Sequence, residues 1–376
     1  MAVRKRLKLR KPFLFIIRIL GVLLVSILAF WLFYLYQINS LMNLGYSEIA
    51  SKKILSESKK DFVISIGENK TLNAAFESKH YKEGNIDSYS KVNFYDYKDF
   101  IESINLLIDK GYSNSNINLI FEHGSNEDIL KFAKREKIKY LEEFYSIKYA
   151  KIKYYDRYVA FSNETGEDEK TTVLFVNLGM DKDDYVDAIE VDKFSYDMLV
   201  NKHYVMDKDL VASDLIKIDD KYTNGDDHFA SSKAVSAFVK MSDDALKDGY
   251  ELVINSSYRS YLHQEELCDE FRKLYGNSYV EKYVAKPGYS EHQTGLAFDI
   301  GSRNSNVFAN SKEYKWMLEN AHKYGFILRF SKDKKDITGF KEEPWHYRYV
   351  GVDIAKYIYE NNISFEEYYA IFLDKD

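Results

Sequence analysis

Thiols are nearly missing from this sequence. A single cysteine, Cys268, in 376 residues excludes an internal disulfide and any structural site of clustered cysteine ligands. Proline is almost as scarce, and three residues leave no long proline-rich linker. Histidine occurs eight times, so chemistry that needs imidazole has few candidate positions. The first 37 residues contain no acidic side chain, yet they carry seven of the 53 Lys and Arg. Against these absences, 45% hydrophobic and 30% charged residues describe a folded chain, long enough for two or three domains.

The basic residues near the start are Arg4, Lys5, Arg6, Lys8, Arg10 and Lys11, and an apolar run from Phe13 to Tyr36 follows with only Arg18 charged. A helical residue rises ~1.5 Å, so this run can cross a hydrocarbon core of ~30 Å. Arg18 lies near the basic end, where it can snorkel to headgroups, and Trp31, Tyr34 and Tyr36 suit the opposite interface. A cleaved signal peptide would have a shorter apolar core, ~7–15 residues, and a small-residue cleavage site. The residues after Tyr36, QINSLMNLGY, hold no such site. The expectation is a basic cytoplasmic tail over 1–12, an uncleaved transmembrane anchor over 13–37, and an extracytoplasmic remainder, by the positive-inside bias. That remainder holds all 59 Asp and Glu and is strongly acidic, which argues against a nucleic-acid partner.

Residues 38–190 are expected to form a mostly helical spacer or interaction region. Apolar positions recur at spacings of three and four through 98–145. TTVLFVNLG (171–179) is strand-like. LGYSEIASKKIL (44–55) is echoed by KGYSNSNINLIF (110–121), which raises a duplicated helical unit against chance similarity. From 191 to 376 the pattern changes. Helices are expected at 231–248, 262–275 and 311–323, strands at 250–260 and 343–351, and a helix at the end. Alternation of this kind predicts one α+β domain.

Two short stretches of this domain carry chemistry. In GYSEHQTGLAFDI (288–300), His292 and Asp299 are seven apart. On one helix they would stand ~10 Å apart along the axis, and on one strand the odd offset would put them on opposite faces. A shared ion therefore requires a change of direction, which Gly295 can supply. After it, Leu296, Phe298 and Ile300 alternate with Ala297 and Asp299, so a strand with its apolar face in the core presents Asp299 to a cleft. In EPWHYRYV (343–350), Trp345, Tyr347 and Tyr349 alternate with His346, Arg348 and Val350, and Pro344 bends the chain so that Glu343 can reach the side of His346. Two histidines, an aspartate and a spare glutamate suit a catalytic zinc with three protein ligands, an activated water and a proton-transferring carboxylate. Arg259, at the end of the strand NSSYRS, is the candidate for holding a developing oxyanion, and Ser290 for binding polar ends of a substrate.

The segment from about 193 to 370 resembles the VanY-type D-alanyl-D-alanine carboxypeptidases, zinc peptidases of bacterial cell-wall metabolism. LVNKHYVMDKDLV (199–211), SSYRSYLHQ (256–264), GYSEHQTGLAFDI and EPWHYRYVG carry the resemblance. It implies a small zinc-peptidase domain with a mainly antiparallel sheet flanked by helices. It further implies Zn2+ on His292, Asp299 and His346, with Glu343 as general base and acid and Arg259 as carbonyl polariser. Ser290 would help hold substrate, and Gln264, in the pattern YRS-x-x-x-Q, is the second substrate-binding candidate. The expected activity is removal of the terminal D-alanine from peptidoglycan stem peptides by a membrane-anchored enzyme. L,D-carboxypeptidase or endopeptidase action on the same stems, and a non-catalytic wall-binding protein, are the alternatives. Oligomeric state is not legible. His263 is expected to be an exposed helix residue, His322 to lie near a helix C-terminus, and Cys268 to pack within a helix.

Overall fold

Among residues 11–374, which the computed structural model describes, one helix is long and apolar enough to cross a membrane. This helix, α1 (Lys11–Asn43), exposes every side chain from Phe15 to Phe33. An apolar surface of that length has no favourable place in water. The expected basic tail lies outside the described residues except for its last two. The chain divides into two compact units, 1–142 and 143–376.

The first unit continues with α2 (Glu48–Ser56), α3 (Lys60–Ile66), α4 (Lys70–Glu77), α5 (Ile86–Lys91), α6 (Phe100–Asp109), α7 (Asn114–His123) and α8 (Asn126–Ala133). Then follow α9 (Leu141–Tyr145), at the boundary, and α10 (Tyr155–Thr165) and α11 (Glu169–Asn177), which belong to the second unit. Helical structure over this span agrees with the expectation, with one correction. TTVLFVNLG is not a strand but most of α11. Its β-branched residues favour a strand locally, but Asp168 accepts the N–H of Thr171 as a helix N-cap, and Val173, Leu174, Val176 and Asn177 are buried on the helix. Packing and capping outweigh a propensity difference of under ~1 kcal/mol per residue.

The GYS echo marks a repeat. Gly45 (φ +102°) and Gly111 (φ +77°) each end a helix with the same pair of bonds, Gly45 N to Met42 O and Tyr46 N to Leu41 O in one, Gly111 N to Ile108 O and Tyr112 N to Leu107 O in the other. Only glycine takes this left-handed position without strain. Ser47 and Ser113 then cap α2 and α7. Further on, three element starts match at a spacing of 69. Turns of 3₁₀ helix start at Glu83 and Ile152, α5 and α10 at Ile86 and Tyr155, α6 and α11 at Phe100 and Glu169. The buried polar bonding is the same in both copies. Tyr89 Oη donates to Asn105 Oδ1 (2.6 Å), Asn105 Nδ2 to His80 O (2.7 Å), and Lys82 N to Tyr89 Oη (3.1 Å). Tyr158 Oη donates to Asn177 Oδ1 (2.6 Å), Asn177 Nδ2 to Tyr149 O (2.7 Å), and Lys151 N to Tyr158 Oη (2.8 Å). Residues 44–179 are thus two copies of one helical module.

The second unit is α+β. Two short pairs, β1 (Ile189–Val191) with β2 (Tyr204–Met206) and β3 (Leu215–Lys217) with β4 (Phe229–Ser231), precede α12 (Ser232–Lys247). Then come β5 (Leu252–Ser256), α13 (Tyr261–Tyr275), α14 (Asn277–Tyr283), β6 (Ala297–Ser302), α15 (Lys312–Asn320), β7 (Phe326–Leu328), α16 (Lys335–Thr338), β8 (His346–Tyr349), α17 (Val352–Asn361) and α18 (Phe365–Tyr368). The main sheet runs β5-β6-β8-β7, antiparallel throughout. Leu296, Phe298 and Ile300 sit in one core with Tyr347, Phe326, and Phe238 and Met241 of α12, as the alternation requires. Each such large side chain contributes about 1.5–3 kcal/mol on burial. Residues 143–190, expected to belong to the spacer, fall in this unit, and Leu174 and Leu178 share a second core with Ile358 and Phe365.

Candidate metal centre and catalytic cleft

The face of β6 and β8 opposite the core opens on a cleft of about 350 Å³, and all seven residues singled out in the sequence line it: Arg259, Gln264, Ser290, His292, Asp299, Glu343 and His346. Their convergence follows from local geometry. A 3₁₀ turn over Glu291–Thr294 ends at Gly295 (φ +68°), which redirects the chain from His292 into β6. A Cβ at Gly295 would come within 2.8 Å of Leu215 Cδ2, so no other residue fits that corner undisturbed. Asp299 and His346 are register partners across β6 and β8. The strand expected from 343 begins only at His346, leaving Trp345 exposed and Glu343 free to turn back.

His292 Nε2 lies 3.5 Å from Asp299 Oδ2, and His346 Nδ1 lies 3.3 Å from Asp299 Oδ1. One ligand atom from each of the three residues lies within 4.8 Å of the others, close enough to share one ion, and His and Asp are donor types that zinc takes. Asp299 Oδ1 is buried and finds no aligned hydrogen-bond donor, as expected of an atom shaped to meet a cation. No other group of three potential ligands closes up among the described residues. The three residues therefore fit zinc.

Both rings are oriented from behind. His292 Nδ1 faces Ser257 O at 2.7 Å, which makes Nδ1 the protonated nitrogen and turns Nε2 to the site. A register shift in β5 between Ile254 and Ser256 precedes that carbonyl. His346 Nε2 faces Glu291 Oε2 at 3.2 Å, so Nδ1 is its site-facing atom. Burial holds His292 below the usual imidazole range, in the neutral form a metal ligand needs. Burial also opposes ionisation of Asp299, yet the two histidines hold its carboxyl well below the usual range.

Glu343 Oε2 stands 3.7 Å from His346 Nδ1. Burial pushes its carboxyl up, with Asp299 and Glu291 adding to the shift against His346 and Arg259, so it is a stronger base than a carboxylate in water. Arg259 donates from Nη1 to Gln264 Oε1 (2.7 Å) and from Nη2 to Ser256 Oγ (3.1 Å). Gln264, expected to bind substrate, is buried with its Nε2 committed to Ala285 O at 2.7 Å. Its amide orients Arg259.

Sequence reasoning missed the groups behind His346: Glu291, Arg329, Arg348 and Glu366, all buried. One signal was present, because Arg348 sits two residues from His346 on the same strand face. An arginine buried on that face, away from water, requires a carboxylate partner.

Residues 227–352 match the VanY family model, described as D-alanyl-D-alanine carboxypeptidase. This part of the chain is a VanY-type domain. The VanY-type region is 42% identical over 179 residues to the putative carboxypeptidase YodJ of Bacillus subtilis, covering 46% of this chain and 66% of that protein. It is 38% identical to a D-alanyl-D-alanine carboxypeptidase of Enterococcus faecium, covering 46% and 56%. The chain thus spans less than two thirds of these curated relatives. Among solved structures, the LdcB LD-carboxypeptidase is 39% identical with TM-score 0.45, covering 49% of this chain and 90% of that one. A vancomycin-resistance VanY D,D-pentapeptidase solved with Zn(II) is 34% identical with TM-score 0.41, covering 46% and 99%.

Proposed function

We propose that this chain is a zinc carboxypeptidase that removes the terminal D-alanine of peptidoglycan stem peptides, held at the outer face of the membrane by α1. The observation that carries the reading is the triangle of His292, Asp299 and His346 with Glu343 and Arg259 in the same cleft. His292 Nε2, Asp299 and His346 Nδ1 would hold the metal. When bound, zinc supplies an acidified water and a Lewis-acid contact for the scissile carbonyl.

The chain's own residues perform the rest. Glu343 takes the water's proton on its carboxylate and passes it to the leaving amine nitrogen. Arg259 keeps a fixed positive charge at the cleft wall, where it donates to the carbonyl oxygen as negative charge develops. Gln264 and Ser256 hold the guanidinium in place, so little reorganisation accompanies the reaction. Ser290 lines the cleft beside His292, where its hydroxyl can meet a substrate's polar end. Phe330, Phe340 and Trp345 add apolar wall, which limits water.

The likeness to LdcB favours a second reading, L,D-carboxypeptidase action on tetrapeptide stems. Incubating the full chain with penta- and tetrapeptide stems and weighing the products decides between them. Loss of one D-alanine from the pentapeptide supports the D,D reading. Cleavage of the tetrapeptide alone replaces it with the second, and cleavage of neither removes both. For α1, the expected anchoring is checked by carbonate extraction of membranes, and release into the soluble fraction contradicts it.

A further inference from the structure

Behind His346 stands a buried carboxylate, Glu291. His346 is a buried ring with two chemically different nitrogens, and the one turned to Asp299 is Nδ1. Its other nitrogen, Nε2, lies 3.2 Å from Glu291 Oε2. Glu291 sits directly before His292 in the 3₁₀ turn, so a single turn delivers a metal ligand and the carboxylate behind a second ligand on another strand.

Glu291 is in turn fixed from two sides. Its Oε1 accepts from Arg329 Nε at 2.8 Å and from Arg348 Nη1 at 3.1 Å. Arg329 continues to Glu366 on α18, with Nη1 to Oε2 at 2.8 Å, and Asn201 Nδ2 reaches Glu366 Oε1 at 3.1 Å. Arg348 donates from Nη2 to Tyr196 O (3.2 Å) and Met198 O (2.9 Å). Two buried arginines are thus balanced by two buried carboxylates, and the network ends on the ring of a metal ligand. A stability role alone does not account for that ending, since removing a balanced buried ion set is often neutral.

We propose that Glu291 is a positioning residue for the metal centre: it holds the Nε2–H of His346 so that Nδ1 faces Asp299, with Arg329, Arg348 and Glu366 locking it in place. The inference rests on the zinc reading above. Outer partners of metal-bound histidines typically govern ~10–100-fold in metal affinity. Glu291 therefore sets how tightly zinc is held, and α18 takes part through Glu366 although it is remote from the cleft in sequence.

The test uses the full chain with Glu291→Gln and with the charge-balanced double variant Glu291→Gln/Arg348→Met. Zinc affinity is read by chelator competition and folding of the apo protein by its melting temperature. Both variants are expected to bind zinc ~10–100-fold more weakly. The double variant should melt closer to the parent than the single one while its zinc affinity stays low. Parental zinc affinity in the double variant would overturn the proposal. A measurement on the unaltered protein guards against variants that do not fold: nitrogen-15 histidine spectra of the zinc-loaded parent should show His346 protonated at Nε2, and a proton at Nδ1 overturns the inference. Zinc bound by the parent without release of D-alanine removes the functional reading and leaves this one standing.

Discussion

Asp299 and His346 face each other across neighbouring antiparallel strands, with His346 Nδ1 3.3 Å from the aspartate's Oδ1. A cross-strand pair on one face is rigidly held by the ladder on both sides. That pair is the fixed edge of the site, and His292 reaches it only through the turn at Gly295.

Glu343 should be indispensable to turnover and dispensable to metal binding. Glu343→Gln keeps the side chain's size and removes its basicity. The expected outcome is a fall in kcat of about 10²–10⁴-fold with zinc content unchanged, measured by D-alanine release and metal analysis. Near-parental kcat in the Gln variant would reassign the proton transfer.

Gly295 is constrained by its backbone and by its neighbours. Gly295→Ala places a Cβ 2.8 Å from Leu215 Cδ2 at a left-handed φ. The strain alone is about 1–2 kcal/mol. A melting temperature lowered by several degrees is expected, and an unchanged one would show that the turn relaxes freely.

Asp214 anchors the start of α12. Its Oδ2 accepts from Ser231 Oγ (2.8 Å), Ser232 N (3.1 Å) and Ser232 Oγ (2.7 Å). Burial opposes ionisation, but these bonds outweigh it and hold the carboxyl below its ordinary value. A depressed folded-state pKa means stabilisation that is present above the unfolded value of ~3.9 and lost as pH falls through the lower folded one. Asp214→Asn should cost about 1–2 kcal/mol at pH 7, with the gap to the parent closing below about pH 4. A gap of equal size at pH 3 and pH 7 contradicts the assignment.

The repeated module makes a paired prediction. Asn105→Ala and Asn177→Ala each remove the acceptor of a buried tyrosine hydroxyl and the donor to a main-chain carbonyl. Each should destabilise by about 1–3 kcal/mol, by denaturant titration. Costs of similar size support two equivalent units, whereas a neutral change at either position breaks the equivalence.

Much of the candidate site was legible because its parts depend on spacing. The odd offset of His292 and Asp299 demanded a turn, glycine stood where the turn had to be, and the alternation in LAFDI and WHYRYV set which side chains share a face. What was not legible depends on contacts between distant segments. Nothing near Gln264 in sequence shows that its amide is used up by Arg259 and Ala285. The partners of Glu291 lie 38 and 57 residues away. In α11 the local signal pointed to a strand, and the buried helix face and Asp168 cap decided otherwise. The repeat was visible only as GYS, since its other matching residues, Lys82 with Lys151, Tyr89 with Tyr158 and Asn105 with Asn177, are isolated in sequence and joined only by the hydrogen bonds of the fold.

Metal content and product mass, taken on one preparation of the full chain, test the central claim most directly. The expected result is about one zinc per chain and loss of a single D-alanine from a pentapeptide stem, both abolished by Asp299→Ala. A chain that binds no zinc, or hydrolysis that survives Asp299→Ala undiminished, would contradict the account.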